Sequence, residues 1–207
     1  MKRVAFAAVL AAALAVVVAA PAGARHAMRT APVPGTWCGG NLWKLMTLSD
    51  AERWTVYPAP LRTSIPAIAR LVAPERILAS RSSSFFERQV WEMKVVIERY
   101  RIQSNGEIAL ELYDTPSSMY MNAYMPNPKC LSPTQTINRS HILAARLAFT
   151  KACPPPTSAW QMLGATVQLA GIGFWNPVKT TLGALGNGAE LRPVTYFNLL
   201  QGCGKYG

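Results

Sequence analysis

The stretch Val90–Ile102 constrains the fold more than any other part of this 207-residue chain. It is rich in β-branched and aromatic residues. Trp91, Met93, Val95 and Ile97 share one parity before the phase slips to Tyr100 and Ile102. Alternation with period two marks a strand with one buried face, and a one-residue slip inside it predicts a bulge or bend. Gln103–Gly106 carries Ser-Asn-Gly, a hairpin turn signal. Glu107–Tyr113 then resumes the alternation through Ile108, Leu110 and Leu112. After a second turn at Asp114–Ser118, Met119–Met125 sets methionines and Ala123 against Tyr120, Asn122 and Tyr124, which predicts a third strand.

Pro126 and Pro128 end that strand. A helix is expected from about Ser140, a suitable N-cap, through Ile142, Leu143, Leu147 and Phe149 to Ala152, where Pro154–Pro156 stop it. Thr157–Leu163 is expected to add a helical turn. Thr166–Trp175 predicts a fourth strand, bent at Gly171 and Gly173, and Glu190–Leu200 a fifth, with Pro193 placing part of it at an edge. Three meander strands, a helix between the third and fourth, and two more strands follow the element order of a five-stranded OB-fold-like barrel. The expected class is therefore mainly β (β-rich α+β), with an ordinary α+β sandwich as the alternative.

Upstream, the pattern is mixed. Leu42–Leu48 is strand-like, and Thr63 or Ser64 can cap a short helix from Ile65 to Val72, with Pro66 in its first turn. Trp37, Trp43 and Trp54 are expected to pack inward. The predicted organisation is a signal peptide at 1–24, a flexible lead-in at 25–36, an extension packed on the core at 37–84, and the OB-like domain at 85–207.

Lys2 and Arg3, the apolar run Val4–Ala20 and the small residues Ala22-Gly23-Ala24 follow the grammar of a cleaved secretory signal. The expected destination is secreted, periplasmic or at the cell envelope. Cleavage removes two bases and no acid, taking the formal charge from +11 to +9. All four cysteines, Cys38, Cys130, Cys153 and Cys203, lie beyond the signal, so two disulfides are expected. Of the three connectivities, Cys38–Cys203 with Cys130–Cys153 is favoured, the first tying the mature ends together. No cysteine has a partner two to four residues away, as a zinc site wants.

A resemblance rests on Phe86-Glu87-Arg88-Gln89-Val90-Trp91, Gly106-Glu107-Ile108, Pro126-Asn127-Pro128-Lys129-Cys130, Gly171-Ile172-Gly173-Phe174-Trp175 and Ala189-Glu190-Leu191-Arg192-Pro193-Val194. Together these segments, spanning Phe85–Cys203, resemble a group of small, mostly uncharacterised exported bacterial proteins with an OB-like core. The resemblance implies the fold and no established activity. In those proteins His tends to stand where this chain has Ala109 and Arg192, and a carboxylate where it has Tyr124 and Asn127. A site built from those groups would be largely lost here.

Chemistry-bearing residues are sparse. The two histidines are His26, in the lead-in, and His141, at a helix start, which disfavours histidine-based nucleophilic or metal chemistry. Gly183–Gly188 lacks the Lys-Ser or Lys-Thr ending of a phosphate loop. Glu107, Glu111, Glu190 and Arg192 form the best catalytic constellation, that of a divalent-metal-dependent nuclease or phosphodiesterase. Against this stands Arg88, Lys94, Arg99 and Arg101 on or near the first long strand, with Trp91 and Tyr100 as stacking platforms. The favoured expectation is a non-enzymatic binding or structural module, without cofactor or metal, for an anionic partner: nucleic acid or a cell-envelope polysaccharide.

Overall fold

The alternation between residues 89 and 125 becomes three consecutive antiparallel strands. The computed structural model describes residues 38–40, 42–81 and 84–203. The expected signal at 1–24 and lead-in at 25–36, with His26 and Trp37, lie outside the described residues. Strand β2 (Gln89–Ile102) pairs with β3 (Ile108–Asp114), and β3 with β4 (Met119–Met125). Helix α3 (Arg139–Ala152) leads to β5 (Gln161–Trp175), which pairs antiparallel with β6 (Ala189–Gln201). Upstream lie α1 (Trp43–Met46), β1 (Tyr57–Arg62) and α2 (Ile65–Ala69).

The six strands form one sheet in the order β1-β2-β3-β4-β6-β5, and β5 also pairs with β2. β2, β3, β4, β6 and β5 thereby form a ring of five strands, with β1 joined in parallel to the outside of β2. The fold is mainly β. The phase slip read in the sequence is present as a register shift between Ile97 and Arg99 against both β3 and β5. It keeps Ile97 and Tyr100 on the same buried side.

Side chains of one parity fill the ring: Met93, Val95 and Ile97 of β2, Leu110 and Leu112 of β3, Met121 and Ala123 of β4, Val167 and Leu169 of β5. Phe149 of α3 packs edge-on between Tyr100 and Phe197, with ring centroids 5.4 and 5.6 Å away. Ile65 and Ile68 of α2 join this core. A second, smaller cluster uses the opposite parity: Val90, Ala170 and Ile172 are covered by Leu48, Val56, Leu131 and Ile142. Phe86 reaches Trp175 at 4.6 Å, and its backbone approaches Gly173 so closely that a Cβ there would fall on the Phe86 carbonyl oxygen.

Several expectations are corrected. Leu42–Leu48 is no strand; residues 43–46 are helical, because Leu45 and Leu48 bury at a spacing of three while the Thr47 hydroxyl donates to the Trp43 carbonyl. Thr157–Leu163 adds no helical turn, since β5 begins at Gln161, opposite Tyr100. Pro193 does not sit on an edge strand. It lies in β6, between β4 and β5, where the pairing with β5 shifts register and no ladder bond is demanded of it. Trp54 is 72% exposed with the Arg53 guanidinium over its ring, so it is not a core tryptophan.

The disulfides pair as Cys38–Cys130 and Cys153–Cys203, not end to end. Topology explains the difference. β6 runs antiparallel to β5 and ends opposite Thr166, close to where the chain leaves α3 at Cys153, so Cys203 lands 4.5 Å from it between Cα atoms. In the chain-entropy picture, closing loops of 92 and 50 residues stabilises by roughly 4–5 kcal/mol each.

Candidate functional site

Ring closure brings β3, β4 and β6 side by side and gathers a buried polar cluster around Arg192. The register places Ala109 opposite Tyr124 and Ala123 opposite Leu191, so Arg192 reaches past β4 toward Glu107 at the head of β3. The Arg192 Nε donates to Glu107 Oε1 at 3.1 Å, and its Nη2 donates to the second carboxylate oxygen, a bidentate pair. The same guanidinium lies 4.3 Å from the centroid of the Tyr124 ring. Glu107, Tyr124, Glu190 and Arg192 are all at most 8% exposed. Ala109, opposite Tyr124, is buried beside this group.

Glu190 receives a 2.8 Å hydrogen bond from Asn176 Nδ2. Burial pushes its carboxyl up from 4.5 to about 7, against that hydrogen bond and the Arg192 charge. Burial and the Glu190 charge push the Tyr124 hydroxyl above its ordinary range. Neighbouring Glu111 is held by Arg99 across β2 and β3, and Gly183 closes over it. A Cβ at Gly183 would sit 2.8 Å from both Glu111 Cγ and Asn122 Oδ1. Arg146 of α3 donates to the Met125, Pro126 and Gly106 carbonyls, fastening the helix to this end of the ring.

A second buried ionic group lies elsewhere. Arg81 donates to Asp50 Oδ2 and to the Glu87 carbonyl, each at 2.9 Å, and to the Leu45 carbonyl. Burial raises the Glu87 carboxyl to about 7, opposed by the Trp175 amide and by Arg81.

Of the four residues of the catalytic reading, the fold unites Glu107, Glu190 and Arg192, while Glu111 is engaged by Arg99. Among the described residues no three His, Cys, Asp or Glu side chains are grouped to hold a metal ion. The expected binding face is not assembled as read. Trp91 and Tyr100 point into the core, where Trp91 Nε1 donates to the Phe86 carbonyl and the Tyr100 hydroxyl to that of Pro154. The parity that buries Met93 and Val95 buries Trp91 with them, and the bulge returns Tyr100 to the inside. Of the bases, Arg88 is half-buried, Lys94 is exposed, Arg99 pairs with Glu111, and Arg101 stacks 4.7 Å from the Trp160 ring.

The outer face of the sheet carries a groove that the sequence reading missed. Pairing sets Glu92 beside Ala170 and Tyr196, and Lys94 beside Gln168 and Asn198. A cavity of about 320 Å³ opens here between Pro58 and Pro60 of β1, Tyr196 of β6 and His141 at the start of α3. A second, of about 280 Å³, adjoins it through shared Glu92 and Gln168 and is bounded by Arg62 and Lys94. The signal was the parity of β5 and β6, where Gln168, Tyr196 and Asn198 alternate with buried Val167, Leu169 and Phe197. His141 is exposed in the first turn of α3, as expected for a surface position. No protein-family model matches the chain, and no curated protein matches it either.

Proposed function

We propose that the chain is an exported, non-enzymatic module with an OB-like core that binds an anionic polymer. One observation carries this reading. Five of the ten carboxylates, Asp50, Glu87, Glu107, Glu111 and Glu190, are buried, against two buried bases among the described residues, Arg81 and Arg192. Asp50, Glu107 and Glu111 are paired with Arg81, Arg192 and Arg99, and burial raises the Glu87 and Glu190 carboxyls to about 7, so the buried acids do little to offset the basic surface, which favours polyanions over a cationic partner. Two disulfides suit an oxidising compartment, and no described helix is long and apolar enough to cross a membrane. The ring order, with the helix between its third and fourth strands, supports the OB-like assignment and the group resemblance.

The second reading, a divalent-metal nuclease or phosphodiesterase, is favoured by the convergence of Glu107, Glu190 and Arg192. Its weakness is that Arg192 occupies both oxygens of Glu107, the positions a cation would need. Incubating the oxidised protein with labelled single-stranded DNA or an acidic polysaccharide, with and without Ca²⁺ or Mg²⁺, separates the two. A salt-sensitive shift without cleavage is the expected result. Metal-dependent cleavage that disappears in Glu107→Gln would replace the binding module with the enzyme.

A further inference from the structure

We propose that the groove across the outer face of β2, β5 and β6 is a binding site for an acidic oligosaccharide. This deepens the anionic-polymer reading and rests on it. Concave sites of a few hundred Å³ with an apolar wall and a few placed polar groups are the usual form of a ligand site. Here the apolar wall is Pro58, Pro60 and Ala170, and Tyr196, 45% exposed, offers its ring to the solvent side. The Gln168 and Asn138 amides line the same space, and neither makes a hydrogen bond to another described group. Asn138 precedes α3 in a left-handed conformation, yet its side chain does not cap the helix. Planar amides beside an aromatic face present what a sugar ring needs: hydrogen-bond partners for hydroxyls at the edge and a surface for the C–H face.

Charge divides the groove. Glu92, with 16% of its side chain exposed, stands where the two cavities meet, and the cationic end is bounded by Lys94 and Arg62. Arg62 touches Glu92 at 3.4 Å but keeps 88% of its side chain exposed. Such a pair holds weakly and leaves the guanidinium free to meet a ligand carboxylate. A phosphodiester chain fits this layout poorly, because Glu92, standing where the two cavities meet, would repel a phosphate there. A glycan can place hydroxyls on Glu92 and a uronate carboxylate between Arg62 and Lys94.

The test is titration of the oxidised protein with an oligogalacturonate hexamer, its methyl-esterified counterpart and oligothymidylate. The free acid is expected to bind about tenfold more tightly than the ester. Tyr196→Ala and Lys94→Glu, both at exposed positions, should each weaken it about tenfold while leaving the melting temperature unchanged. Equal binding of acid and ester, or indifference to both substitutions, would overturn the site. Oligothymidylate binding without oligogalacturonate binding would overturn it too, yet leave the anionic-polymer reading standing. Binding of neither polyanion would remove both.

Discussion

Burial of two carboxyl groups that sit near pH 7 makes the stability of this protein fall through the neutral range. Glu190 has its folded-state value raised from 4.5 to about 7, so between those values the folded chain holds a proton that the unfolded chain releases. The sign follows from linkage: stability is fullest below 4.5 and declines as pH rises through 7. A difference of that size corresponds to about 3 kcal/mol at 1.36 kcal/mol per unit, or roughly 6–12 °C in Tm for a chain of this length. Glu87, raised to the same value, adds a decline of similar size in the same window. Thermal melts between pH 4.5 and 8.5 at constant ionic strength should show the oxidised protein losing stability up to about pH 7 and levelling off above it. Glu190→Gln, which keeps the shape and an acceptor for Asn176, should remove about half of the slope, and Glu87→Gln much of the rest. Parallel curves for the wild type and the double variant would refute the assignment of buried, proton-holding carboxyls.

Other consequences can be measured independently. Gly173→Ala drives a methyl group into the Phe86 carbonyl, and a loss of about 1–3 kcal/mol in urea unfolding is expected. Arg192→Met strands a buried Glu107 and should cost about 3–5 kcal/mol, whereas Arg192→Met with Glu107→Leu should recover much of that loss, as a double-mutant cycle will show. Phe149→Ala empties the space between Tyr100 and Phe197 and should cost about 3–5 kcal/mol by chemical denaturation. Non-reducing peptide mapping should recover Cys38 with Cys130 and Cys153 with Cys203; any other pairing would contradict the topology.

The core strands were legible because period-two alternation is a local consequence of one-sided burial. Residues 89–125 needed nothing beyond their own neighbours to be read, including the bulge near Ile97. What failed depended on partners far along the chain. β1 is not legible locally, because Pro58 and Pro60 argue against a strand and only its parallel pairing with β2 makes it one. The disulfides could not be paired without knowing that β6 returns alongside β5 to the end of α3. Residue type marks Trp91 and Tyr100 as stacking platforms, whereas side-chain parity buries both. Residue type alone singles out Glu111 and Glu190. Their partners Asn176 and Arg99 come from a loop and a separate strand, which no local pattern reveals.

The placement of β1 also bears on how the protein behaves at high concentration. A strand with one unpaired side presents backbone donors and acceptors that can template association with a second chain. Ring closure removes that hazard from the five inner strands, and β1 is left on the outside. Two of its six residues, Pro58 and Pro60, have no N–H to offer. The exposed outer strand is thus poorly suited to recruit another, so self-association through sheet extension is disfavoured by the strand's own residues.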